Sequence, residues 1–211
     1  MKTLFIDSSK IDIEYIVNEL FDKTKIGGLS IPDIIPENAR EDLLENVSLV
    51  KKYFWHAQQK EGNVIQEIQC LYLEELNENC LDRTFLTTIN QFKDEYSEIY
   101  REISQRAQFE DERFNSLGFH YYPRNTVGIS PHRDYARDRD LISIFVIKGN
   151  APFYVCENRD KKGSILLNSS PGSLILLRAA RNDEEQKYRP FHYINKVSEE
   201  RFSLIVRRRK C

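Results

Sequence analysis

The spacing of the apolar residues changes near Asn115, and this change constrains the fold more than any other feature of the sequence. Before it, apolar residues recur every three or four positions, which is typical of helices packed on one face. Such helices are predicted over 11–21, from Pro36 onward, and over 81–109. After it, short apolar runs of period two alternate with turn residues, which indicates strands. The chain is therefore predicted to be α+β, with a mainly helical part at 1–114 and a β-rich part at 115–211.

Eight candidate strands lie in the β-rich part. They are 117–122, 126–130, 141–148, 152–156, 164–167, 173–177, 192–195 and 202–207. Eight short antiparallel strands suit a jelly roll, or double-stranded β-helix, in which two sheets face each other and the mouth can hold a metal. We expect the N-terminal helices to cover one of these sheets. Because no repeat or low-complexity linker separates the two parts, 1–211 is predicted to be a single domain with its jelly-roll core at 115–211.

Composition and charge exclude several classes of protein. The sequence is 40% hydrophobic and 30% charged, as in globular proteins, and has no apolar run of membrane-spanning length and no signal peptide. The four cysteines form no CxxC pair, so reduced thiols and a cytoplasmic location are expected. The 31 basic and 33 acidic residues give a net charge of −2, which argues against a nucleic-acid partner. The basic run at 207–210 is the exception, and a solvated C-terminal tail is its expected explanation.

Three residues of ligand-forming types occur in an order that suits a metal. His132 and Asp134 are two positions apart on an extended segment, so their side chains point the same way. His192 begins the seventh candidate strand, which in a jelly roll can lie beside that position. Two imidazoles and one carboxylate can hold one face of iron(II), whereas a structural zinc normally takes four protein ligands. A packed histidine is the alternative for His192, but two of only four histidines fall in the required order.

The last candidate strand carries a polar face and an apolar face. The polar face has Arg201, Ser203 and Arg207, together with Ile205; the apolar face has Phe202, Leu204 and Val206. If the apolar face packs against the covering layer, two arginines point into the barrel, where an unpaired guanidinium would be costly. A small dicarboxylate would relieve that cost, because Arg presents a planar fork to carboxylate oxygens. An edge strand with solvated arginines is the alternative, which the His/Asp/His set disfavours.

Three segments resemble the iron(II)/2-oxoglutarate-dependent dioxygenase superfamily, most closely its small AlkB-like members. Residues 122–134, Tyr-Pro-Arg-Asn-Thr-Val-Gly-Ile-Ser-Pro-His-Arg-Asp, are similar to the pattern Tyr-Pro … Gly-Ile-x-Pro-His-x-Asp. Residues 171–177, Pro-Gly-Ser-Leu-Ile-Leu-Leu, resemble the turn and strand before the distal His of the family. Residues 201–207, Arg-Phe-Ser-Leu-Ile-Val-Arg, resemble its closing Arg-x-Ser/Asn-Leu-x-x-Arg. The resemblance covers roughly 115–209 and does not extend to the helical part.

The resemblance implies iron(II) and 2-oxoglutarate as cofactor and cosubstrate, with molecular oxygen as the oxidant. The iron ligands that it implies are His132, Asp134 and His192. The implied cosubstrate residues are Arg201 and Ser203 at the distal carboxylate, Arg207 as a second arginine of the AlkB type, and Tyr122 as a hydrogen-bonding tyrosine. The doublet Tyr121-Tyr122 leaves the choice of tyrosine open.

Two departures from AlkB bear on the substrate. AlkB has Asn two residues before its Tyr, where this chain has His120, and the segment 178–189 is longer and more charged than in AlkB. Both departures weaken a claim of nucleobase repair. Related halogenases have Ala or Gly at the position of Asp134, so the resemblance favours hydroxylation or oxidative demethylation over halogenation.

Three functions remain open from the sequence. The first is an oxygenase for a small-molecule or amino-acid-like substrate, which the acidic balance favours. The second is an AlkB-like demethylase of nucleic acid, and the third is a non-oxidative, cupin-like metal protein, which the Arg/Ser/Arg strand disfavours. Candidate substrate contacts are Arg178 and Arg181, with surface ion pairs as the alternative, and Trp55, His56 and Gln66, for which helical packing is favoured. The sequence predicts neither the substrate nor the oligomeric state.

Overall fold

Two antiparallel sheets and three α-helices form most of the region that the computed structural model describes, residues 3–57 and 59–210 with the side chain of Glu78 excepted. The helices are α1 (Ile13–Phe21), α2 (Glu37–Ser48) and α3 (Arg83–Ala107). The early strands are β1 (Gly28–Ile31), β2 (Trp55–His56), β3 (Lys60–Glu61), β4 (Val64–Ile65) and β5 (Gln69–Tyr72). The later strands are β6 (Ser116–Tyr122), β7 (Thr126–His132), β8 (Asp138–Lys148), β9 (Phe153–Cys156), β10 (Ile165–Leu167), β11 (Leu174–Arg178), β12 (Phe191–Val197) and β13 (Arg201–Arg209). Short 3₁₀ turns occupy Ser8–Lys10, Lys51–Tyr53, Leu73–Glu75, Glu78–Cys80 and Asp183–Tyr188.

All eight predicted strands are present as β6 to β13, with ends that differ from the prediction by at most three residues. The predicted helices are present as α1, α2 and α3. The first part of the chain also contributes strands that the apolar spacing did not predict. Three of them, β1, β5 and β2, extend the larger sheet at its two edges, and β3 and β4 form a separate hairpin.

The two sheets enclose one of two hydrophobic cores. The larger sheet has the strand order β1-β11-β8-β13-β6-β5-β2, and the smaller has the order β10-β9-β12-β7. Ile144 and Ile205 of the larger sheet share a core with Phe153 and Ile194 of the smaller, which shows that the sheets face each other. This is a jelly-roll-like arrangement of antiparallel sheets.

The second core lies between the helices and the outer face of the larger sheet, as predicted. The N-cap of helix α3 is Asp82, whose carboxylate accepts hydrogen bonds from the first turn. Its C-cap is Gln108, which has the left-handed conformation. Its buried face meets the sheet through edge-to-face contacts of Phe92 and Tyr96 with Phe145. The apolar face of β13 packs into this core, so the polar face of the same strand points between the sheets.

The prediction of a solvated tail at 207–210 is wrong for its three arginines. These arginines belong to β13, and Arg207 is buried. Arg208 pairs with Asp140 at 2.6 Å, and Arg209 pairs with Glu74 at 2.6 Å. The three arginines are therefore buried or partly buried, and each is paired with acids that are distant in sequence. Cys211 lies outside the described residues.

No helix of the described residues is both long enough and apolar enough to cross a membrane. The three cysteines that the structure describes are free thiols, two of them buried.

Candidate metal and cosubstrate site

Strands β7 and β12 bring together the three predicted ligands, His132, Asp134 and His192, which we call the triad. His132 ends β7 and lies directly opposite His192 on β12. Asp134 follows two residues beyond the end of β7, and its Oδ2 lies 3.3 Å from His192 Nε2. The two imidazole centroids are 4.2 Å apart. One ligand atom from each of the three residues falls within 4.8 Å of the others, a spacing that a single metal ion could bridge.

The surroundings of the triad keep its side chains in metal-binding protonation states. Burial lowers the pKa of His132, and it lowers the pKa of His192 to about 3, so both rings are neutral. His132 Nδ1 lies 2.9 Å from the Ser130 carbonyl, a contact that requires a proton on Nδ1 and leaves Nε2 for a metal. Burial by itself would raise the pKa of Asp134, but the neighbouring Arg207 guanidinium holds that pKa below its usual range. Two neutral imidazoles and an ionised carboxylate fit a divalent metal ion.

Arg201 is fully buried between the two sheets, in a pocket that the triad also lines. It has no acidic partner among the described residues. Its exposed fraction is 0%, and burial lowers its pKa to about 10. Its Nε donates to Ser203 Oγ at 3.2 Å and one terminal nitrogen donates to the Ala151 carbonyl at 3.2 Å. Its other terminal nitrogen, NH2, is buried and has no hydrogen-bond partner in the described part of the chain. A buried cation with an unused donor fits an anionic ligand.

The tyrosine doublet divides between the two faces of β6. Tyr122 is buried beside Arg201, its partner across the sheet, and lines the pocket between the sheets. Tyr121 points to the opposite face, where its hydroxyl donates to Glu200 at 3.2 Å. Of the two, only Tyr122 therefore faces a ligand bound at Arg201.

A single cavity joins Arg201 to the triad, and we call it the cosubstrate pocket. Its walls include the triad and His120, Tyr122, Phe153, Arg201, Ser203 and Arg207. The ring of Phe153 stacks on His192 at 5.7 Å and lies near the Arg201 guanidinium. An acid bound at Arg201 would thus extend toward the triad along an apolar wall.

Arg207 lies in the same pocket but has acidic partners. One terminal nitrogen is 3.1 Å from Asp134 Oδ1, and the other is 3.6 Å from Asp138 Oδ2. These carboxylates raise the pKa of Arg207 despite its burial. The two arginines on the inner face of β13 therefore sit in opposite electrostatic surroundings.

A second, wider opening of about 400 Å³ reaches the triad from outside, and we call it the substrate cleft. Trp55, Gln66 and Tyr72 line it from the N-terminal part, and Tyr135 lines it from the loop after the triad. Trp55 and Gln66 thus belong to a segment that covers the cleft. The prediction that they pack within a helix was wrong, because this segment forms short strands. His56 is exposed and does not line the cleft.

Two arginines suggested for an anionic substrate do not line this cleft. The Arg178 guanidinium donates to the carbonyl oxygens of Asp22, Lys25 and Tyr188, which makes it a structural clamp. Arg181 pairs with Glu185 at 2.8 Å, as the alternative of a surface ion pair predicted.

Sequence reasoning missed Tyr72 and Asp138. Tyr72 lies in β5 and shares a 2.8 Å hydrogen bond with His120 Nε2, the residue that stands where AlkB has Asn. Asp138 begins β8 and is fully buried beside Arg207. The Asp138-Arg-Asp140 stretch resembles an ordinary polar turn, so no local signal identified its first residue.

Comparisons with known proteins agree on the fold. No family model matches the sequence, and no curated protein is significantly similar to it. The structure is similar to a Pseudomonas putida prolyl-4-hydroxylase, with a TM-score of 0.67, 15% identity, and coverage of 94% of this chain and 99% of the other. It is also similar to a Burkholderia pseudomallei oxidoreductase of the 2OG-Fe(II) oxygenase family (TM-score 0.57, 12% identity, coverage 98% and 94%). A third similar structure is a Neurospora crassa protein in complex with alpha-KG and 5-formyluracil (TM-score 0.60, 15% identity, coverage 97% and 83%).

The chain has the fold of the 2OG-Fe(II) oxygenases. The likeness extends over nearly the whole chain, including the helical part in which the sequence showed no resemblance. At these identities it establishes the fold alone, and the function has to be argued from the site.

Proposed function

We propose that the protein is an iron(II)- and 2-oxoglutarate-dependent oxygenase that hydroxylates a small-molecule or amino-acid-like substrate. The observation that carries this proposal is the buried Arg201, which has no acidic partner among the described residues and shares one pocket with a His-Asp-His triad. A buried guanidinium without a counter-charge is unfavourable unless an anion completes it. A diacid between Arg201 and a metal on the triad satisfies both ends of the pocket.

The strand order supports a double-stranded β-helix as the catalytic core. Of the eight strands from β6 onward, β6, β8, β11 and β13 lie in the larger sheet, and β7, β9, β10 and β12 lie in the smaller. The N-terminal part adds strands to the same larger sheet and helices to its outer core. We therefore treat 1–211 as a single domain, and the free thiols fit the proposed cytoplasmic location.

Each proposed site residue has a role that its contacts support. His132, Asp134 and His192 would hold iron(II). Arg201, with Ser203 and Tyr122 beside it, would hold the distal carboxylate of 2-oxoglutarate. Iron(II) with 2-oxoglutarate and molecular oxygen supplies oxidative hydroxylation, with release of succinate and CO₂. The chain itself orients the cosubstrate and excludes water from it, because Arg201 and Phe153 are almost completely buried.

The substrate would enter through the substrate cleft. A volume of about 400 Å³ is in the range of small-molecule pockets. Trp55 and Tyr135 remain 44% and 50% exposed at this cleft, where a ligand could cover their rings. Among the similar structures, one is a prolyl hydroxylase and another is bound to 5-formyluracil, which supports a substrate group of single-residue or single-base size.

Demethylation of nucleic acid is the less favoured alternative. The most concentrated basic run is already neutralised, because Arg207, Arg208 and Arg209 are paired with acids. Two glutamates, Glu61 and Glu75, also line the substrate cleft. A binding titration with DNA and RNA at two salt concentrations tests this, since phosphate contacts give steep salt dependence. We expect no appreciable binding at physiological salt. Tight, salt-dependent binding with demethylation of methylated oligonucleotides would favour the alternative.

A non-oxidative, cupin-like metal protein would need only the triad. It offers no reason for the buried Arg201 with its unused donor. Succinate formation from 2-oxoglutarate separates the two functions, because a metal-binding protein without oxygenase chemistry forms none.

The proposed function is tested by measuring iron-dependent succinate formation while metabolite pools are added. We expect a low rate without substrate and a higher rate with pools that contain it. An absence of succinate under all conditions, with iron and 2-oxoglutarate both bound, would contradict an oxygenase. Stimulation by nucleic acid and not by metabolites would shift the substrate class.

A further inference from the structure

A row of alternating charges leads from the protein surface to the triad, and we call it the acid–base relay. Its members, in spatial order, are Glu74, Arg209, Asp138, Arg207 and Asp134. Successive members are 2.6 Å, 3.4 Å, 3.6 Å and 3.1 Å apart between their nearest ion-pair atoms. Glu74 is exposed and Arg209 is partly exposed, Asp138 and Arg207 are buried, and the Asp134 side chain is 10% exposed.

At its inner end the relay fixes which carboxylate oxygen of Asp134 faces the imidazoles. Arg207 contacts Oδ1, whereas Oδ2 lies 3.3 Å from His192 Nε2. The main chain at the same residue is held separately, because Arg189 donates to the Asp134 carbonyl at 2.7 Å. Arg207 thus restricts rotation of the carboxylate and leaves one oxygen directed at the space between the imidazoles.

Asp138 holds Arg207 in that position. It is 0% exposed, and its two oxygens contact Arg207 on one side and Arg209 on the other. A cross-strand pairing of Asp138 with Arg209 and a register shift after Arg207 bring these side chains together. A buried carboxylate between two guanidinium groups has little freedom to move.

The ring of Tyr72 packs beside the guanidinium groups of Arg207 and Arg209 and limits their movement. Its ring lies 6.0 Å from the Arg207 guanidinium and 4.8 Å from that of Arg209. The ring lies against β6 at Gly118, where a Cβ atom would collide with it. Strand β5, Gly118 and the relay therefore form one packed unit beside the triad.

We propose that Arg207 is a positioning residue for the metal-binding carboxylate of Asp134, held in place by Asp138, and not a ligand of the cosubstrate. The proposal rests on the proposed metal site. It differs from the role that the AlkB resemblance implies for this arginine, and the contacts favour it because Arg207 is already paired with two acids whereas Arg201 has none among the described residues. Outer partners that orient a ligand typically change metal affinity about 10- to 100-fold when they are removed.

The effects of charge and of positioning on metal affinity can be separated, because Asp138 and Arg207 carry opposite charges and can be replaced together. Asp138→Asn removes one of the two carboxylates that compensate the Arg207 cation beside the metal site, so both electrostatics and lost positioning would weaken metal binding. The double variant Asp138→Asn with Arg207→Met removes one charge of each sign and leaves the net charge unchanged. Only lost positioning would weaken metal binding in this double variant.

The experiment is a Mn²⁺ titration of the full chain without 2-oxoglutarate, followed by electron paramagnetic resonance. We expect about 10- to 100-fold weaker Mn²⁺ binding in the single variant and in the charge-neutral double variant. Normal affinity in the double variant would overturn the proposal, since the effect would then be electrostatic. Arg209→Met, at the outer part of the relay, is expected to weaken binding several-fold. If neither Asp138 variant folds, unchanged Mn²⁺ affinity in Arg209→Met would overturn the proposal.

A second titration measures 2-oxoglutarate binding to protein saturated with Mn²⁺. We expect Arg207→Met to bind 2-oxoglutarate as the unchanged protein does, and Arg201→Met to bind it far more weakly. Weaker 2-oxoglutarate binding with unchanged Mn²⁺ affinity in Arg207→Met would make this arginine a cosubstrate ligand and overturn the proposal. Unchanged 2-oxoglutarate binding in Arg201→Met would instead contradict the proposed function, so the two failures are distinguishable.

Discussion

Two arginines six residues apart on β13, Arg201 and Arg207, lie in opposite electrostatic surroundings. Arg201 and Arg207 both point between the sheets, and both are buried. Arg201 has no acid within ion-pair distance in the described residues, and its pKa is lowered to about 10. Arg207 lies between two carboxylates, and its pKa is raised. The comparison shows that an arginine motif on one strand face does not define one role, because the counter-charges from other strands decide it.

The largest expected effect comes from removing the proposed metal-binding carboxylate that Arg207 contacts. Asp134→Ala should abolish iron-dependent succinate formation, as should His132→Ala and His192→Ala, because a three-ligand site cannot lose one ligand and keep its geometry. His56→Ala is the matched control, since that histidine is exposed and lines neither the cosubstrate pocket nor the substrate cleft. Full activity in any triad variant would remove that residue from the proposed metal site.

The next effect belongs to the Arg201 end. Arg201→Met should weaken 2-oxoglutarate binding by about two orders of magnitude or more, because truncating one member of a buried, charge-assisted pair costs about 2–5 kcal/mol. Arg201→Lys should recover only part of this, since a point charge matches a carboxylate less well than a planar fork. Calorimetry on protein saturated with Mn²⁺ measures both, with the exposed Arg113→Met as the control. Equal affinities in all four proteins would place the cosubstrate elsewhere.

The stability of the metal-free protein should change in opposite directions at the two ends. Arg207→Met should lower the free energy of unfolding by about 3–5 kcal/mol, because two buried carboxylates lose their common partner. Arg201→Met should leave that free energy unchanged or raise it, because a desolvated cation without a counter-charge is removed. Urea unfolding of the two variants makes the comparison. A similar loss of stability in both would show that Arg201 has a structural partner too.

The smallest expected effect concerns pH. Because the pKa of His192 is lowered to about 3, protons hardly compete with the metal at that ligand above pH 5, and the lowered pKa of His132 weakens the competition there as well. Between pH 7 and pH 5 the Mn²⁺ affinity should fall much less than the roughly thousandfold loss that two ordinary imidazoles with a pKa of about 6.5 would cause. A titration at several pH values distinguishes these outcomes.

The same lowered pKa values predict how stability depends on pH. Between pH 6.5 and about 3 the imidazole of His192 takes up a proton in the unfolded chain but not in the folded protein. The metal-free protein should therefore lose stability as the pH falls below 6.5. A stability that rises as the pH falls over this interval would contradict a neutral His192 in the folded protein.

The sequence predicted the parts of the site that local patterns encode. The His-x-Asp spacing placed two candidate ligands on one side of an extended segment, and the pairing of β7 with β12 brings the third candidate beside them. The alternation in 201–207 correctly separated a face toward the helices from a face toward the pocket. These predictions succeeded because successive side chains of a strand point to opposite faces of the sheet, so a period of two in the sequence shows which residues share a face.

The remaining parts of the site depend on contacts between distant segments. Strand β5 has only four residues and no alternation long enough to detect, so Tyr72 was assigned to a helical region. The role of the basic run depends on Glu74, Asp138 and Asp140, none of which adjoins it in sequence. Arg178 was a candidate substrate contact, but its guanidinium is held by carbonyl oxygens from the loop after α1 and from the turn ending at Tyr188.

The most direct test of the account is an anaerobic titration of the iron(II)-loaded protein with 2-oxoglutarate, repeated without metal and with Arg201→Met. The account predicts tight binding that requires both the metal and the arginine, because the diacid is held at its two ends by these two groups. Binding that is equally tight without metal, or in the Arg201 variant, would contradict a cosubstrate held between the triad and Arg201.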